Sequence, residues 1–179
     1  MENLQYPIGR FAFDKETTPE KRKAWIADVA EMPAALRRAV DGLSPTQLDT
    51  PYRDGGWTVR QVVHHLADSH MNSFTRFKLA LTEDAPTIKP YSQAAWAETA
   101  DVAGVDAALS IALLVGLHAR WTVLLSAMAA ADFTRTFVHP ENGPQTLDRA
   151  LQTYAWHGRH HVAHIVTLRE RKGWAAGRA

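Results

Sequence analysis

The sequence predicts an all-α protein, a four-helix bundle built as a single domain over residues 1–179. Three observations carry this expectation. Four long segments place apolar residues at helical spacing. Capping signals stand where those segments begin. No segment alternates convincingly as a strand. A chain of 179 residues is of single-domain size and can bury a useful core.

Residues 1–16 contain Pro7 and Gly9, show no period and read as an extended arm. The first helix starts at Thr17-Thr18-Pro19-Glu20, where Thr17 and Glu20 have capping-box spacing and Pro19 suits a first turn. Its stripe is Trp25, Ile26, Val29, Met32, Leu36, Val40 and Leu43, and Pro33 is expected to kink or interrupt it. Ser44-Pro45-Thr46-Gln47 repeats the start signal for a short helical turn. Arg53-Asp54-Gly55-Gly56 reads as a loop.

Thr58 and Gln61 cap the second long helix, which runs to about Thr82 with Val59, Val62, Val63, Leu66, His70, Phe74, Phe77 and Leu81 on its stripe. Pro86 and Pro90 end that region, and a short helix is expected within 91–98. Residues 106–128 form the third long helix, with Leu109, Leu113, Leu117, Trp121 and Leu124 on one stripe. Residues 136–145 hold Pro140, Gly143 and Pro144 and read as an irregular excursion or a small hairpin. Thr146 caps the fourth helix, which runs to Lys172 and stops at Gly173. The connections between helices 2 and 3, and between 3 and 4, are longer than a minimal up-down bundle requires.

Composition narrows the function. The formal net charge is +1 and the basic residues are scattered, so nothing argues for nucleic acid. No apolar run approaches the ~20 residues that span a bilayer, and no membrane partner is expected. The opening residues lack the blocks of a signal peptide, which makes a cytoplasmic location the expectation. The absence of cysteine excludes disulfides, thiolate ligands and a cysteine nucleophile.

Nine histidines remain, a high count for this length. Four lie in Trp156-His157-Gly158-Arg159-His160-His161-Val162-Ala163-His164. Residues four apart share a helix face, so His157 with His161, or His160 with His164, can bring two imidazoles to one ion. On a helical wheel His161 lies about 40° and His157 about 80° from the centre of the apolar face, against about 100° for His164 and about 140° for His160. His157 and His161 therefore point inward, and His160 points furthest out.

A catalytic zinc site usually has three protein ligands and an open position. The second helix offers His64, His65, Asp68 and His70 for the third. Its wheel leaves the choice open: His70 is inside the apolar stripe, and His64 and His65 are beside it. Asp68 is a possible ligand, orienting partner or general base.

The run Asp54-Gly55-Gly56-Trp57-Thr58-Val59-Arg60-Gln61-Val62-Val63-His64-His65-Leu66-Ala67-Asp68-Ser69-His70 resembles the first metal motif of DinB-like proteins, closest to the YfiT branch of metal-dependent hydrolases. Tyr6-Pro7-Ile8-Gly9 and the stretch from Trp156 to Ile165 are similar to that branch too, and the resemblance covers nearly the whole chain. It implies a four-helix bundle, a homodimer, and one divalent ion, Zn2+ or alternatively Ni2+. It also implies His65 as the ligand of helix 2, the His that directly precedes Leu66, beside His157 and His161.

Three neutral imidazoles leave the ion its full charge, which suits activation of water against a small-molecule electrophile, with Asp68 or His164 shuttling protons. Relatives in the superfamily resemble thiol S-transferases, so transfer of an external low-molecular-weight thiol is the rival chemistry. A non-catalytic metal-binding bundle is the third possibility, and it would close its site with a fourth protein ligand.

Overall fold

The computed structural model describes residues 4–174. Four long helices dominate it: α1 (Pro19–Val40), α3 (Val59–Thr82), α6 (Ala107–Ala127) and α7 (Leu147–Lys172). Shorter pieces fill the connections: α2 (Pro45–Leu48), α4 (Gln93–Trp96), α5 (Ala100–Gly104) and a 3-10 turn at Asp132–Thr134. The 136–145 region is a hairpin, with β1 (Thr136–His139) antiparallel to β2 (Gly143–Thr146). It follows the expected turn chemistry, since Gly143 takes a φ of 69°.

Local chemistry explains the helix ends. Thr58 and Gln61 form a reciprocal capping box at α3. Thr146 caps α7, and Gly173 stops it in the left-handed region at φ 63°. At α1 the cap is Thr18, which accepts from the Lys21 N–H, rather than Thr17. Pro19 is the first helical residue, so the cap must directly precede it. Thr17 instead donates to the Asp148 carboxylate at 3.3 Å.

The long helices close a ring in which α1 packs on α6, α6 on α3, α3 on α7 and α7 on α1. Helices α1 and α3 are thus diagonal across the bundle, as are α6 and α7, unlike an up-down bundle where successive helices are neighbours. At Gly158 a Cβ would stand 2.5 Å from Met32 Cγ, so glycine there permits the close approach of α7 to α1.

Three expectations are corrected. Helix α1 runs through Pro33 without interruption, with Pro33 itself buried. On α6 the buried face is Ala107, Ile111, Leu114, His118, Trp121 and Leu125, while Leu109 is 61% and Leu113 48% exposed. This helix is apolar nearly all round, so periodicity could not choose its inner face. The same helix overturns the expectation that no run is long enough for a bilayer. Its 21 residues, at mean hydropathy 1.7, are long and apolar enough to cross a membrane by length and composition. His118 and Arg120 interrupt the run, yet the leucines, valines and alanines around them keep its average high.

The core has two apolar layers. One gathers Leu36, Val62, Leu66, Leu114, Ile165 and Leu168, and the other Val29, Phe77, Trp121, Leu125, Leu147 and Leu151. Between them in sequence, on α3, α6 and α7, lie His70, His118, His157, His161 and His164, with His65 at the edge of the first layer beside Leu66. A histidine layer therefore separates two oily ones.

Candidate metal centre

Three of these histidines converge. His65 comes from α3, and His157 and His161 from α7, one turn apart on one face. Each offers a ring nitrogen, and the three nitrogens lie within 4.8 Å of one another. His65 Nε2 is 3.2 Å from His157 Nε2. His65 and His161 are buried, whereas His157 keeps a partly exposed edge. Among the described residues this group has three members and no fourth carboxylate or imidazole joins it. Trp57 covers His65, with ring centroids 4.7 Å apart.

The neighbouring histidines serve elsewhere. His64 turns to α6, where its Nδ1 lies 2.7 Å from Ser110 Oγ. Of the histidines that the helical wheel left open on α3, His65 is the one that stands with His157 and His161. His164 stands behind His161, Nδ1 to Nδ1 at 3.4 Å, and its Nε2 faces the Gln5 carbonyl at 3.2 Å. His160 departs from expectation: it is only 6% exposed. It stacks on Trp156 at 4.3 Å, and Tyr6 of the N-terminal arm approaches it at 5.9 Å. The arm packs along α7, with Asp14 and Gln152 exchanging two hydrogen bonds. The outward face of α7 is thus covered by a segment that a one-faced wheel does not include.

Burial decides the protonation. His65 is pushed down to about 4 by desolvation. His157 and His161 are held well below the ordinary imidazole range, first by desolvation and then by the neighbouring imidazoles. All three are neutral at physiological pH and carry a lone pair. Neutral imidazoles suit zinc, nickel and other borderline divalent ions, so the residues fit such an ion. Three neutral imidazoles aimed at one another in a desolvated layer cannot all be satisfied by mutual hydrogen bonds, and an ion between them would use every lone pair.

Asp68 lies one turn beyond His65 on α3 and is half-buried. Desolvation, helped by the charge of Asp101, raises its pKa to about 6. Nearby, Ser69 Oγ and Tyr154 OH are 3.2 Å apart. Tyr91 belongs to the same patch, its hydroxyl pushed up to about 12, chiefly by burial. Arg53 lines a cleft of about 640 Å³ with Gln5, Arg171 and Lys172. His118, Tyr91 and Tyr154 carried no functional signal in the sequence. His118 stands alone on an apolar helix, where a single imidazole looks like any core residue.

A four-helix bundle that gathers three neutral imidazoles, and keeps one edge of the cluster open, is the architecture of a histidine-ligated metal protein. The chain belongs to the DinB superfamily, whose profile matches residues 28–165. It is 52% identical over 174 residues to "Putative metal-dependent hydrolase YfiT" of Bacillus subtilis (strain 168), covering 97% of this chain and 98% of the relative. A Bacillus mycoides (strain KBAB4) protein with the same description is also 52% identical over 174 residues, covering 97% of this chain and all of the relative. A solved structure of YfiT from Bacillus subtilis superposes with a TM-score of 0.94, covering 97% of this chain and 99% of that one. That protein is described as "a probable metal-dependent hydrolase with an unusual four-helix bundle topology". The diagonal placement of consecutive long helices matches that description.

Proposed function

We propose that His65, His157 and His161 hold one divalent ion, zinc or nickel, and that the chain hydrolyses a small-molecule substrate at that centre. The observation that carries this is the convergence of three neutral imidazole nitrogens within 4.8 Å, with no fourth side-chain ligand among the described residues. A resident ion would supply Lewis acidity, lowering the pKa of water to about 7 and polarising a substrate oxygen. The names of the relatives support hydrolysis. The protein's own groups do the rest. Trp57 and the apolar layers keep bulk water from His65. Asp68, with its raised pKa and half-open position, is the group suited to take a proton near neutral pH. Held between Gln5 and His161, His164 is suited to orienting rather than shuttling.

The test has two stages. Purified protein should take up one equivalent of Zn2+ or Ni2+ by elemental analysis and calorimetry. The loaded protein should then turn over some member of a panel of esters, amides and phosphoesters, with rates unchanged by added low-molecular-weight thiol. Strict dependence on the thiol would transfer the assignment to group transfer, and failure to bind metal would remove it.

We also propose a second copy of the chain as the cover for the outer face of α6. Leu109, Leu113, Val115 and Val123 are exposed there, and Arg120 in the same helix disfavours a lipid environment. A dimer in light scattering, abolished by Leu109→Glu with Val123→Glu, is the expected result.

A further inference from the structure

Two files of hydrogen-bonded histidines run back from the candidate ligands, and each ends on a backbone carbonyl. In the first, His118 Nδ1 lies 2.6 Å from the Val29 carbonyl. His118 Nε2 is 2.9 Å from His70 Nδ1, and His70 Nε2 is 3.1 Å from His157 Nδ1. In the second, the Gln5 carbonyl faces His164 Nε2, and His164 Nδ1 faces His161 Nδ1. The first file takes one residue from each long helix: Val29 from α1, His118 from α6, His70 from α3 and His157 from α7.

A carbonyl can only accept a hydrogen bond, and a neutral imidazole has one N–H and one lone pair. The carbonyl therefore draws the proton to the nitrogen that faces it. The other nitrogen of that ring must then accept from the next ring, and the order passes along the file. At its end His157 donates from Nδ1 and bears its lone pair on Nε2. By the same rule His161 donates from Nδ1 to His164 and bears its lone pair on Nε2. Reversing the first file would press the Nδ1 lone pair of His118 against the Val29 carbonyl, leaving two buried acceptors unpaired.

Pro33 explains why the Val29 carbonyl is available. In an unbroken helix that carbonyl would accept from the N–H of residue 33, and proline has none. The proline that the sequence marks as a helix breaker thus frees the acceptor that anchors the file.

We propose that the Val29 and Gln5 carbonyls set the tautomers of His157 and His161 through His118, His70 and His164, so that both metal-facing rings present an unprotonated Nε2 before an ion arrives. His118, His70 and His164 are then positioning residues, acting on the centre through other rings. The idea rests on the metal reading above.

The test begins with the intact wild-type protein, 15N-labelled at histidine, in metal-free and Zn2+-loaded forms. Long-range proton–nitrogen correlation at neutral pH should show Nδ1–H on His118, His70, His157 and His161, and Nε2–H on His164. An Nε2–H on His157 or His161 in the metal-free protein overturns the proposal. A second arm compares His118→Leu with His118→Gln, whose amide can donate to Val29 and accept from His70. Zn2+ affinity should fall roughly ten-fold in the leucine variant and return toward wild type in the glutamine variant, with helical circular dichroism preserved. Unchanged affinity in His118→Leu would also overturn it. The tautomer pattern is read without zinc, so a wild type that shows it but binds no ion removes only the metal assignment.

Discussion

The guanidinium of Arg22 grips the carboxylate of Asp148 through two parallel bonds, Nε to Oδ1 and Nη2 to Oδ2, each 2.7 Å long. Arg22 lies near the start of α1 and Asp148 in the first turn of α7, where the helix dipole favours a negative charge. Both side chains are mostly buried, at 13% and 10% exposure. The pair ties together the two helix starts on which the arm also rests. Removing one partner strands the other. Asp148→Ala should lower the unfolding free energy of the chain by about 3 kcal/mol in urea titrations. Replacing both, Arg22→Met with Asp148→Leu, should recover much of that loss. A single variant as stable as wild type would show that solvent already screens the pair.

The candidate ligands and their neighbour His160 should separate cleanly. His65→Ala, His157→Ala and His161→Ala each remove one of three imidazoles and should weaken Zn2+ binding roughly a hundred-fold or more. His160→Ala should retain a full equivalent of metal by elemental analysis. Its cost should appear in thermal stability, because His160 fills the seam between Trp156 and the arm residue Tyr6. Full metal retention by His161→Ala would refute the ligand set.

Acid should destabilise the metal-free protein in a defined window. His65, His118 and His160 are each pushed down to about 4, in every case mainly by burial. In the unfolded chain such groups take up protons near 6.5. The unfolded state therefore binds more protons than the folded one between about 6.5 and about 4. Stability is full above that window and falls as pH drops through it. Denaturant midpoints measured across the window should decline steadily, and His118→Gln should flatten the slope. A flat profile down to about 4 would contradict the burial assigned to these rings.

The long helices were legible because their caps and apolar spacing are local. Thr58 with Gln61, and Thr146 with Gly173, mark ends that the fold keeps. The facing of His157 and His161 was legible too, since both lie toward the apolar side of α7. His65 against His64 was not, because α3 is buried on both flanks by α6 and α7. There the family resemblance supplied what spacing could not. His160 was misjudged because its cover comes from the arm, which has no period of its own. That α1 continues through Pro33 without a break was missed for a related reason. A helix tolerates a proline when a distant side chain satisfies the carbonyl it frees, and His118 is 89 residues away in sequence. Such nonlocal partners leave no trace in hydrophobic periodicity.

Asp68 gives the most direct link between the fold and a rate. Desolvation raises its pKa to about 6, and Asp101 adds a smaller push in the same direction. A carbon-detected titration of the metal-free protein should therefore place the Asp68 midpoint near 6, and Asp101→Asn should lower it. Because folding raises the pKa from 3.8 to about 6, stability falls as pH rises through that interval, and the full cost of the ionised carboxylate is present at neutral pH. Asp68→Asn should accordingly raise the melting temperature at neutral pH. The same change should abolish the acid limb of the pH profile of kcat/KM, which otherwise rises through about 6, and slow turnover by roughly 10²–10⁴-fold. A gain in stability with no loss of rate would mean that Asp68 is a buried cost without a catalytic return. A loss of rate together with the gain in stability is the pattern of a group kept for chemistry at the expense of the fold.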